Sequence, residues 1–382
     1  MRSKIYYFGT YNIINGKHKR RCSTSAIVKM NYMLYALNQA GFDVELISSS
    51  YIVEKKWCFD KGAKIKLNDH NSLNLSPSFG YKTILGKHLS VIFTSIFFFF
   101  KLLKIRKCDT LIVYHGNWFS NPILLAKKIK RFQLIVEVEE IYTYAFKRPI
   151  KGLKKELKFI MSANKYIFVN DLICDIFNLN KDKSIVCYGP YIMNTEDVEQ
   201  IKFKDDKIHV AYSGSFNKVK GGVYNTIEAA RYLSDDYVMH ILGFGEKSDE
   251  EEVKLLIKRV NQNSKCKVIF EGEKNQLEYY SFMKGCTLGL NPQIWGDHML
   301  YAYPSKLLVY LSLGLNIVTS PLKTLKVSSV NTYFNYYEEE SPQSLAKAIA
   351  NAKIWPEEEL IFAGKKLNEI FVKDLFNLVN SK

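Results

Sequence analysis

A loop that contains glycine and lysine occurs in the second half of the chain, at residues 212–222. It follows a predicted strand and leads into a predicted helix over 223–233. Gly214 would let the backbone approach a ligand closely, and the free N–H groups of a helix N-terminus attract an anion. Lys218 and Lys220 could then contact phosphate oxygens. The alternative is an ordinary loop with solvent-facing lysines, and a Walker loop is excluded because G-x-x-x-x-G-K-[ST] is absent.

A second loop with the same potential spans residues 296–306. Pro304 suits the first turn of a helix, where its missing N–H costs little, so we predict a helix over 304–313. Ser305 and Lys306 would then lie in that first turn. A lysine there opposes the positive end of the helix dipole, and an anion between the two would remove the conflict. The alternative is that Lys306 extends into solvent. Both loops follow predicted strands, and open parallel sheets bind ligands at the carboxyl ends of their strands.

Other motifs are weak or missing from the sequence. Gly243 and Gly245 form G-F-G, but a third glycine and an acidic ribose partner are missing at the spacing that dinucleotide binding requires. The chain has no H-E-x-x-H motif and no nucleophile elbow. It has no D-x-D pair to hold a metal and no recognised motif for reading nucleic acid. We therefore predict no metal site, no cofactor and no nucleic-acid partner.

The elements that position these loops follow an α/β pattern. Short β-branched or aromatic runs alternate with amphipathic stretches, which predicts parallel sheets with crossover helices. In the first half we predict strands at 4–9, 44–48, 110–114, 134–137, 166–169 and 185–188, and a helix over 25–40 that Gly41 ends. In the second half we predict strands at 209–213, 238–242, 267–270, 287–291 and 316–319, with helices after 222 and 248 and around 275–284.

The boundary between two predicted domains follows Gly189 and Pro190, where a polar and acidic stretch begins. The predicted domains are residues 1–195 and 196–356. The tail, 356–380, is a predicted helix, because Pro356 precedes three glutamates and apolar residues then recur at helical spacing. A length of 382 residues is typical of two domains.

Charge and cysteine content indicate where in the cell the protein is located and what kind of partner it binds. Residues 1–200 carry 31 Lys and Arg against 16 Asp and Glu, so most of the net charge of +16 lies in the first half. This asymmetry favours an anionic partner such as a membrane surface, a phosphorylated lipid or a nucleic acid; solvated lysines are the alternative. The seven cysteines are scattered, and the N-terminus lacks the apolar segment of a secretory signal. We therefore expect a cytoplasmic protein.

One segment, residues 89–100 (LSVIFTSIFFFF), is strongly apolar. It is shorter than the roughly 20 residues that a membrane-spanning helix needs. Two alternatives are open: a buried core helix, or a helix that enters a membrane surface.

The order of these segments resembles the two-domain B-type (GT-B) glycosyltransferases, particularly the retaining family 4. The resemblance covers nearly the whole chain and rests on five segments: 41–47 (GFDVELI), 109–115 (DTLIVYH), 213–221 with its Lys220-Gly221 pair, 241–245 (ILGFG) and 303–314 (YPSKLLVYLSLG). The family's phosphate-loop arginine falls on Ser215, and its pair of glutamates falls on Tyr301 and Val309. This variant pattern looks closer to accessory glucosyltransferases and galactofuranosyltransferase-like enzymes.

The resemblance implies two Rossmann-like domains facing a central cleft, with the C-terminal helix, 357–382, returning to the first domain. It implies a nucleoside-diphosphate sugar, with UDP-sugar the expected donor, in the second domain and a saccharide or lipid-linked saccharide acceptor in the first. The residues expected to bind the donor are Gly16, Gly214, Ser215, Lys218, Lys220, Gly243, Asn291, Tyr303, Pro304, Ser305 and Lys306.

His115 and Glu140 are further candidates in the first domain, because each follows a predicted strand. We expect His115 to contact the sugar, with a structural histidine as the alternative. Glu140 could act as a base or contact the sugar, and Lys220 would stabilise the leaving diphosphate. Transfer to an acceptor during surface-polysaccharide synthesis, at the inner face of the membrane, is the expected activity. A non-catalytic partner of a glycosyltransferase and a nucleotide-sugar epimerase are the alternatives.

Overall fold

The computed structural model describes residues 2–13, 17–116, 118–145, 150–193, 198–216 and 222–381. The chain divides into two compact units. Unit 1 consists of the residues up to Pro190 together with those from Glu369 onwards, and unit 2 is Tyr191–Asn368. The predicted boundary lay five residues later, at 195, and the predicted return of the tail began at 357.

Unit 1 contains an eight-stranded sheet in the order β10-β9-β8-β7-β1-β2-β5-β4, parallel except for β4, and a small antiparallel pair of β3 with β6. Its strands are β1 (Ser3–Gly9), β2 (Phe42–Ser48), β3 (Phe59–Asp60), β4 (Ala63–Lys66), β5 (Asn71–Leu75), β6 (Ser78–Phe79), β7 (Thr110–Tyr114), β8 (Gln133–Val138), β9 (Lys165–Phe168) and β10 (Ser184–Val186). Its helices are α1 (Thr24–Gln39), α2 (Ile84–Leu102), α3 (Ser120–Lys130), α4 (Tyr142–Ala145), α5 (Ile150–Ile160) and α6 (Leu172–Ile176).

Unit 2 contains a six-stranded parallel sheet in the order β13-β12-β11-β14-β15-β16. Its strands are β11 (Ile208–Ser215), β12 (Tyr237–Phe244), β13 (Lys267–Gly272), β14 (Leu288–Asn291), β15 (Asn316–Thr319) and β16 (Phe334–Tyr336). Its helices are α7 (Val223–Ala229), α8 (Lys247–Asn261), α9 (Gln276–Gly285), α10 (Lys306–Ser312), α11 (Lys323–Lys326) and α12 (Pro342–Ala350), followed by α13 (Glu357–Asn380), which ends in unit 1.

The predicted α/β class with two parallel sheets is confirmed. Local signals account for several element ends: Gly41, at φ +87°, ends α1, and Asn275 and Glu278 form a reciprocal capping box at the start of α9. Burial accounts for the sheets, because β7 and β8 each contain an apolar run, LIV, that is buried on both faces.

Two predicted helices are shorter than their sequence patterns indicated. The helix after Gly222 ends at Ala229 instead of 233, where a 3-10 turn continues it, and α10 begins at Lys306 instead of Pro304. Pro304 still contributes to the start of α10, because its carbonyl accepts a hydrogen bond from the N–H of Leu307.

The apolar segment at 89–100 lies within α2, and it is not a buried core helix. Among the described residues, α2 is the one helix long and apolar enough to cross a membrane, with a mean hydropathy of 1.4, yet only 22% of its span is buried. Apolar side chains such as Leu89, Ile96 and Phe100 are exposed. The core-helix alternative is therefore wrong, because composition reveals that a helix is apolar but does not reveal which side packs against the protein.

Candidate functional site

The strand order of unit 2 reverses between β11 and β14. From β11 the chain proceeds outward to β12 and β13, and then returns to continue from β14 on the opposite side of β11. Crossovers diverge at such a point, and this leaves a crevice at the carboxyl ends of the two strands. Both predicted ligand loops leave the sheet at this edge, one after β11 and one after β14.

Lys306 reaches from the first position of α10 to the end of β11. Its Nζ donates a hydrogen bond to the carbonyl oxygen of Ser213 at 2.6 Å and lies 5.3 Å from the centre of the Tyr212 ring. Within the described part of the chain, Lys306 has no carboxylate partner within ion-pair distance. Burial lowers the pKa of Lys306 to about 8. The result is a partly desolvated ammonium group whose contacts, among the described residues, are a neutral carbonyl and an aromatic ring.

Glycines bring the backbone close to this amine. A Cβ on Gly214 would lie 3.0 Å from Lys306 Nζ, so a side chain there would crowd the amine. Gly243, at the end of the neighbouring strand, has φ +139°, and a Cβ there would lie 1.8 Å from the carbonyl oxygen of Gly214. The predicted residues Gly214, Gly243 and Lys306 are therefore brought together, and Ser215 lies next to them, half-buried.

A tyrosine cluster that sequence reasoning missed supports this edge. The Ser213 hydroxyl lies 3.0 Å from the Tyr279 hydroxyl and 2.9 Å from the Tyr310 hydroxyl, and Tyr310 also donates to the carbonyl of Leu290. These bonds tie β11 to α9, α10 and β14, so they fix the strand end that Lys306 contacts. The sequence offers no local signal for the cluster, since its members are up to 97 positions apart.

Other predicted donor residues have structural surroundings. Asn291 is fully buried, and its side-chain amide donates to the Thr319 hydroxyl at 2.9 Å, which joins the ends of β14 and β15. Tyr303 and Pro304 are buried, whereas Ser305 is exposed. The Asn291 side chain thus hydrogen-bonds to protein groups and does not face an open ligand-binding surface.

Gly16 and the loop segment 217–221, which contains Lys218 and Lys220, lie outside the described residues. The predicted phosphate contacts of Lys218 and Lys220 therefore stay predictions.

In unit 1, His115 follows β7 as predicted, but its side chain has no exposed surface. Its Nδ1 donates to the carbonyl of Glu140 at 3.2 Å, and its Nε2 lies 3.6 Å from a carboxylate oxygen of Glu156. The ring stacks on Tyr142 with centroids 5.1 Å apart. The His115 side chain has no exposed atom for the expected sugar contact, because Tyr142 and Phe159 stack against its ring and Glu156 lies beside Nε2. The alternative of a structural histidine fits. Glu140 is half-buried.

A buried ionic cluster, also missed from the sequence, connects β1, α1 and β8. Lys29 Nζ donates to the Cys187 carbonyl at 2.8 Å and lies 3.0 Å from Glu139 and 4.0 Å from Glu137. The Tyr7 hydroxyl donates to Glu137 at 2.6 Å. Burial and the neighbouring Glu139 raise the pKa of Glu137 to about 8. A lysine within the apolar pattern of α1 was the one available sequence signal.

Within the described residues, one group of side chains could hold a metal: His18, Glu54 and Cys58, whose ligand atoms lie within 4.8 Å of one another. Glu54 already accepts a hydrogen bond from the Lys19 N–H at 2.7 Å and pairs with Lys56 at 2.8 Å, and these contacts lower its pKa to about 2. The group therefore already has a positively charged neighbour, the Lys56 ammonium. It belongs to unit 1, whereas Lys306 belongs to unit 2.

Comparison with known proteins agrees with this geometry. Residues 193–362, nearly all of unit 2, match the family profile described as Glycosyl transferases group 1. None of the curated proteins compared matches the sequence.

Solved structures share the fold of the chain at low sequence identity. Sucrose-phosphate synthase from Thermosynechococcus elongatus has a TM-score of 0.67 and 13% identity, over 98% of this chain and 95% of that one. Anabaena HepE in complex with UDP and glucose has a TM-score of 0.63 and 12% identity, over 100% of both chains. The lipopolysaccharide outer core galactosyltransferase WaaB has a TM-score of 0.63 and 15% identity, over 98% and 99%. The chain therefore has the GT-B fold.

Proposed function

We propose that this protein is a glycosyltransferase that moves a sugar from a nucleoside-diphosphate donor, held by unit 2, to a saccharide acceptor. The observation that carries the proposal is the Lys306 ammonium group at the end of β11. It lies beside Gly214 at the sheet's switch point and contacts a neutral carbonyl. A bound diphosphate would give this ammonium group a negatively charged partner.

Transfer of a sugar leaves negative charge on the departing diphosphate, and fixed cations close to that charge lower the barrier. We assign this role to Lys306 and, from the sequence, to Lys220. Because the chain has no D-x-D pair, we propose that protein cations and not a metal stabilise the leaving group. Gly214 and Gly243 keep side chains away from the approach to Lys306.

For the donor we propose a UDP-sugar, and for the acceptor a saccharide or lipid-linked saccharide of a bacterial surface polysaccharide. HepE of the same fold was solved with UDP and glucose, and WaaB is described as a lipopolysaccharide galactosyltransferase. The excess of basic residues in the first half fits an acceptor at an anionic membrane. We place the protein in the cytoplasm, peripheral to the inner face of the membrane, and keep Glu140 as the candidate base or sugar contact.

A thermal-shift measurement with UDP, ADP, GDP and CDP tests the donor site. A nucleotide at about 100 times its Kd stabilises a protein by about 2.7 kcal/mol, which raises the melting temperature measurably. We expect one nucleotide, UDP, to give this shift in the natural protein and in Lys265→Met, which removes an exposed lysine of the same unit. Lys306→Met should lose the shift while remaining folded.

Each outcome separates the proposals. If no nucleotide shifts the melting temperature, the donor site is contradicted. If UDP shifts Lys306→Met as much as the natural protein, the placement of the donor at Lys306 is contradicted. A UDP shift without sugar transfer to membrane-extracted acceptors favours the non-catalytic partner, which the residues Tyr301 and Val309 in place of the family's glutamates also suggest. Conversion of one UDP-sugar into another without any acceptor favours the epimerase.

A further inference from the structure

Helix α2 packs against unit 1 through a side that is small and polar in its first half and apolar at its C-terminal end. Its buried residues recur every fourth position, at Gly86, Ser90, Thr94, Phe98 and Leu102. The Ser90 hydroxyl donates to the carbonyl of Phe79 at 2.8 Å, and the Thr94 hydroxyl donates to the carbonyl of Pro77 at 3.2 Å. Hydroxyl groups of α2 thus face the protein. In a surface helix of a water-soluble protein, the polar residues face the solvent instead.

The opposite side of α2 is apolar and exposed. It carries Leu85, Leu89, Ile92, Phe93, Ile96 and Phe100, spaced so that they form one stripe along the helix. Leu85 is 70% exposed and Phe100 is 60% exposed. Soluble proteins rarely leave a continuous apolar face of this kind uncovered.

Aromatic residues in and next to β3 extend this surface. The ring centroids of Phe59, on β3, and Phe93 lie 6.4 Å apart, so β3 contacts the apolar side of the helix. Trp57, two residues earlier, is 66% exposed. Tryptophan at the edge of an apolar face is typical of the zone between lipid headgroups and acyl chains.

The charge along the segments that carry this surface is mostly positive. Near Trp57 and Phe59, the acidic residues Glu54 and Asp60 pair with Lys56 at 2.8 Å and with Arg20 at 2.9 Å. From residue 70 to residue 136 the chain has ten Lys and Arg and a single acidic residue, Asp109. Asp109 pairs with Arg106 at 3.0 Å, so its charge is compensated. Lys104, Lys107 and Lys128, near the C-terminal end of α2 and on α3, are exposed. A surface that combines an apolar stripe with basic residues complements an anionic lipid layer.

We propose that α2, with Trp57 and Phe59, is a membrane-docking surface that lies in the plane of an anionic lipid layer. A spanning orientation would break the bonds of Ser90 and Thr94 to the β6 segment, so the helix lies on the membrane and does not cross it. A second copy of the chain is a poorer occupant, because pairing the two faces would bring two basic surfaces together. This inference deepens the proposed function, since the lipid-linked acceptor rests on membrane contact.

Flotation with vesicles tests the surface without any nucleotide, so its outcome is independent of the donor site. The natural protein should float with vesicles of phosphatidylglycerol and phosphatidylcholine at low salt, and should bind pure phosphatidylcholine vesicles less tightly. The double variant Ile92→Asp with Ile96→Asp should lose about tenfold or more in partitioning, because two carboxylates then face the lipid. Leu255→Asp is the matched control: Leu255 is 59% exposed on α8 of unit 2, and the variant should float like the natural protein.

Two further measurements locate the contact. Lys104→Glu with Lys107→Glu should weaken binding to anionic vesicles and flatten its salt dependence. Brominated lipids should quench Trp57, so Trp57→Phe should lose the quenching. The proposal is overturned if the natural protein stays in the soluble fraction with anionic vesicles. It is also overturned if the Ile92 and Ile96 double variant floats equally well, or if light scattering finds a dimer of the natural protein that this double variant does not form.

Discussion

At the scale of single residues, Lys306 shows how a binding group can reduce the stability of the protein that carries it. An amine that burial desolvates is held in its charged form at neutral pH with a carbonyl oxygen as its hydrogen-bond acceptor. Its pKa falls from 10.5 to about 8, so between these values the unfolded chain binds more protons than the folded chain. The contribution of Lys306 to stability therefore rises with pH across this window in the ligand-free protein.

The opposite pH dependence is expected for the nucleotide. Bound diphosphate raises the pKa of Lys306, so UDP affinity should decrease as the pH rises above about 8, approaching a tenfold loss per pH unit. Titration calorimetry at about pH 7 and about pH 9 measures this loss. Lys306→Arg keeps its charge throughout this range and should show little pH dependence. A natural protein whose UDP affinity is the same at both pH values would contradict the assignment.

Residue types and spacing identified Lys306, but for a different reason from the one the structure gives. The sequence suggested a conflict with the helix dipole, whereas the structure shows a side chain that reaches Ser213, 93 positions away. His115 was predicted at a strand end correctly, yet its burial depends on Tyr142, Glu156 and Phe159 from later helices. Contacts of this kind are set by tertiary packing, and no local pattern contains them.

At the scale of elements, the strands with continuous apolar runs were predicted well, and β7 and β15 match their predicted bounds. The strands between residues 59 and 79 were missed because β3 and β6 have two residues each, and because β4 (AKIK) and β5 (NSLNL) lack an apolar run. The apolar pattern of α2 was recognised, but its orientation follows from hydrogen bonds to backbone carbonyls of residues 77 and 79, which lie outside the helix.

The ends of β11 and β12 depend on one glycine. Gly243→Ala would place a Cβ 1.8 Å from the Gly214 carbonyl oxygen in a backbone conformation that alanine rarely adopts. We expect a loss of stability of about 1–3 kcal/mol or more, and a weaker UDP shift because Gly214 must move. Urea unfolding and thermal shift measure the two effects.

Gly152→Ala is the matched control for this substitution. Gly152 is exposed within α5, and among the described residues a Cβ there would meet the Thr143 hydroxyl alone, at 3.6 Å. Alanine in a helix interior should be stabilising by about 0.5–1 kcal/mol and should leave the UDP shift unchanged. If Gly243→Ala behaved like Gly152→Ala, the close approach of the two strand ends would be wrong.

At the scale of the whole molecule, α13 makes unit 1 discontinuous in sequence. The residues from Glu369 onwards pack into unit 1, where Phe371 stacks on Tyr32 at 6.0 Å and Lys165 donates to the Leu378 carbonyl at 2.7 Å. The first 190 residues therefore lack part of their own core unless the last helix is present. A fragment cut at the predicted boundary would leave Tyr32 and Phe42 without the aromatic rings that cover them.

Substitutions on the two sides of this last helix test the dependence of unit 1 on its distant segment. Leu375 is fully buried and Ile370 is half-exposed, although both lie on α13 within unit 1. Leu375→Ala should lower the free energy of unfolding of unit 1 by about 2–5 kcal/mol, because it leaves a cavity in the core. Ile370→Ala should cost less than about 1 kcal/mol, since its side chain already faces solvent in part.

Urea unfolding followed by Trp118 fluorescence, in a background of Trp57→Phe, Trp295→Phe and Trp355→Phe, reports unit 1 alone. The UDP shift should persist in both variants because Lys306 belongs to unit 2, and equal losses of stability at the two positions would show that unit 1 does not rely on the buried side of α13.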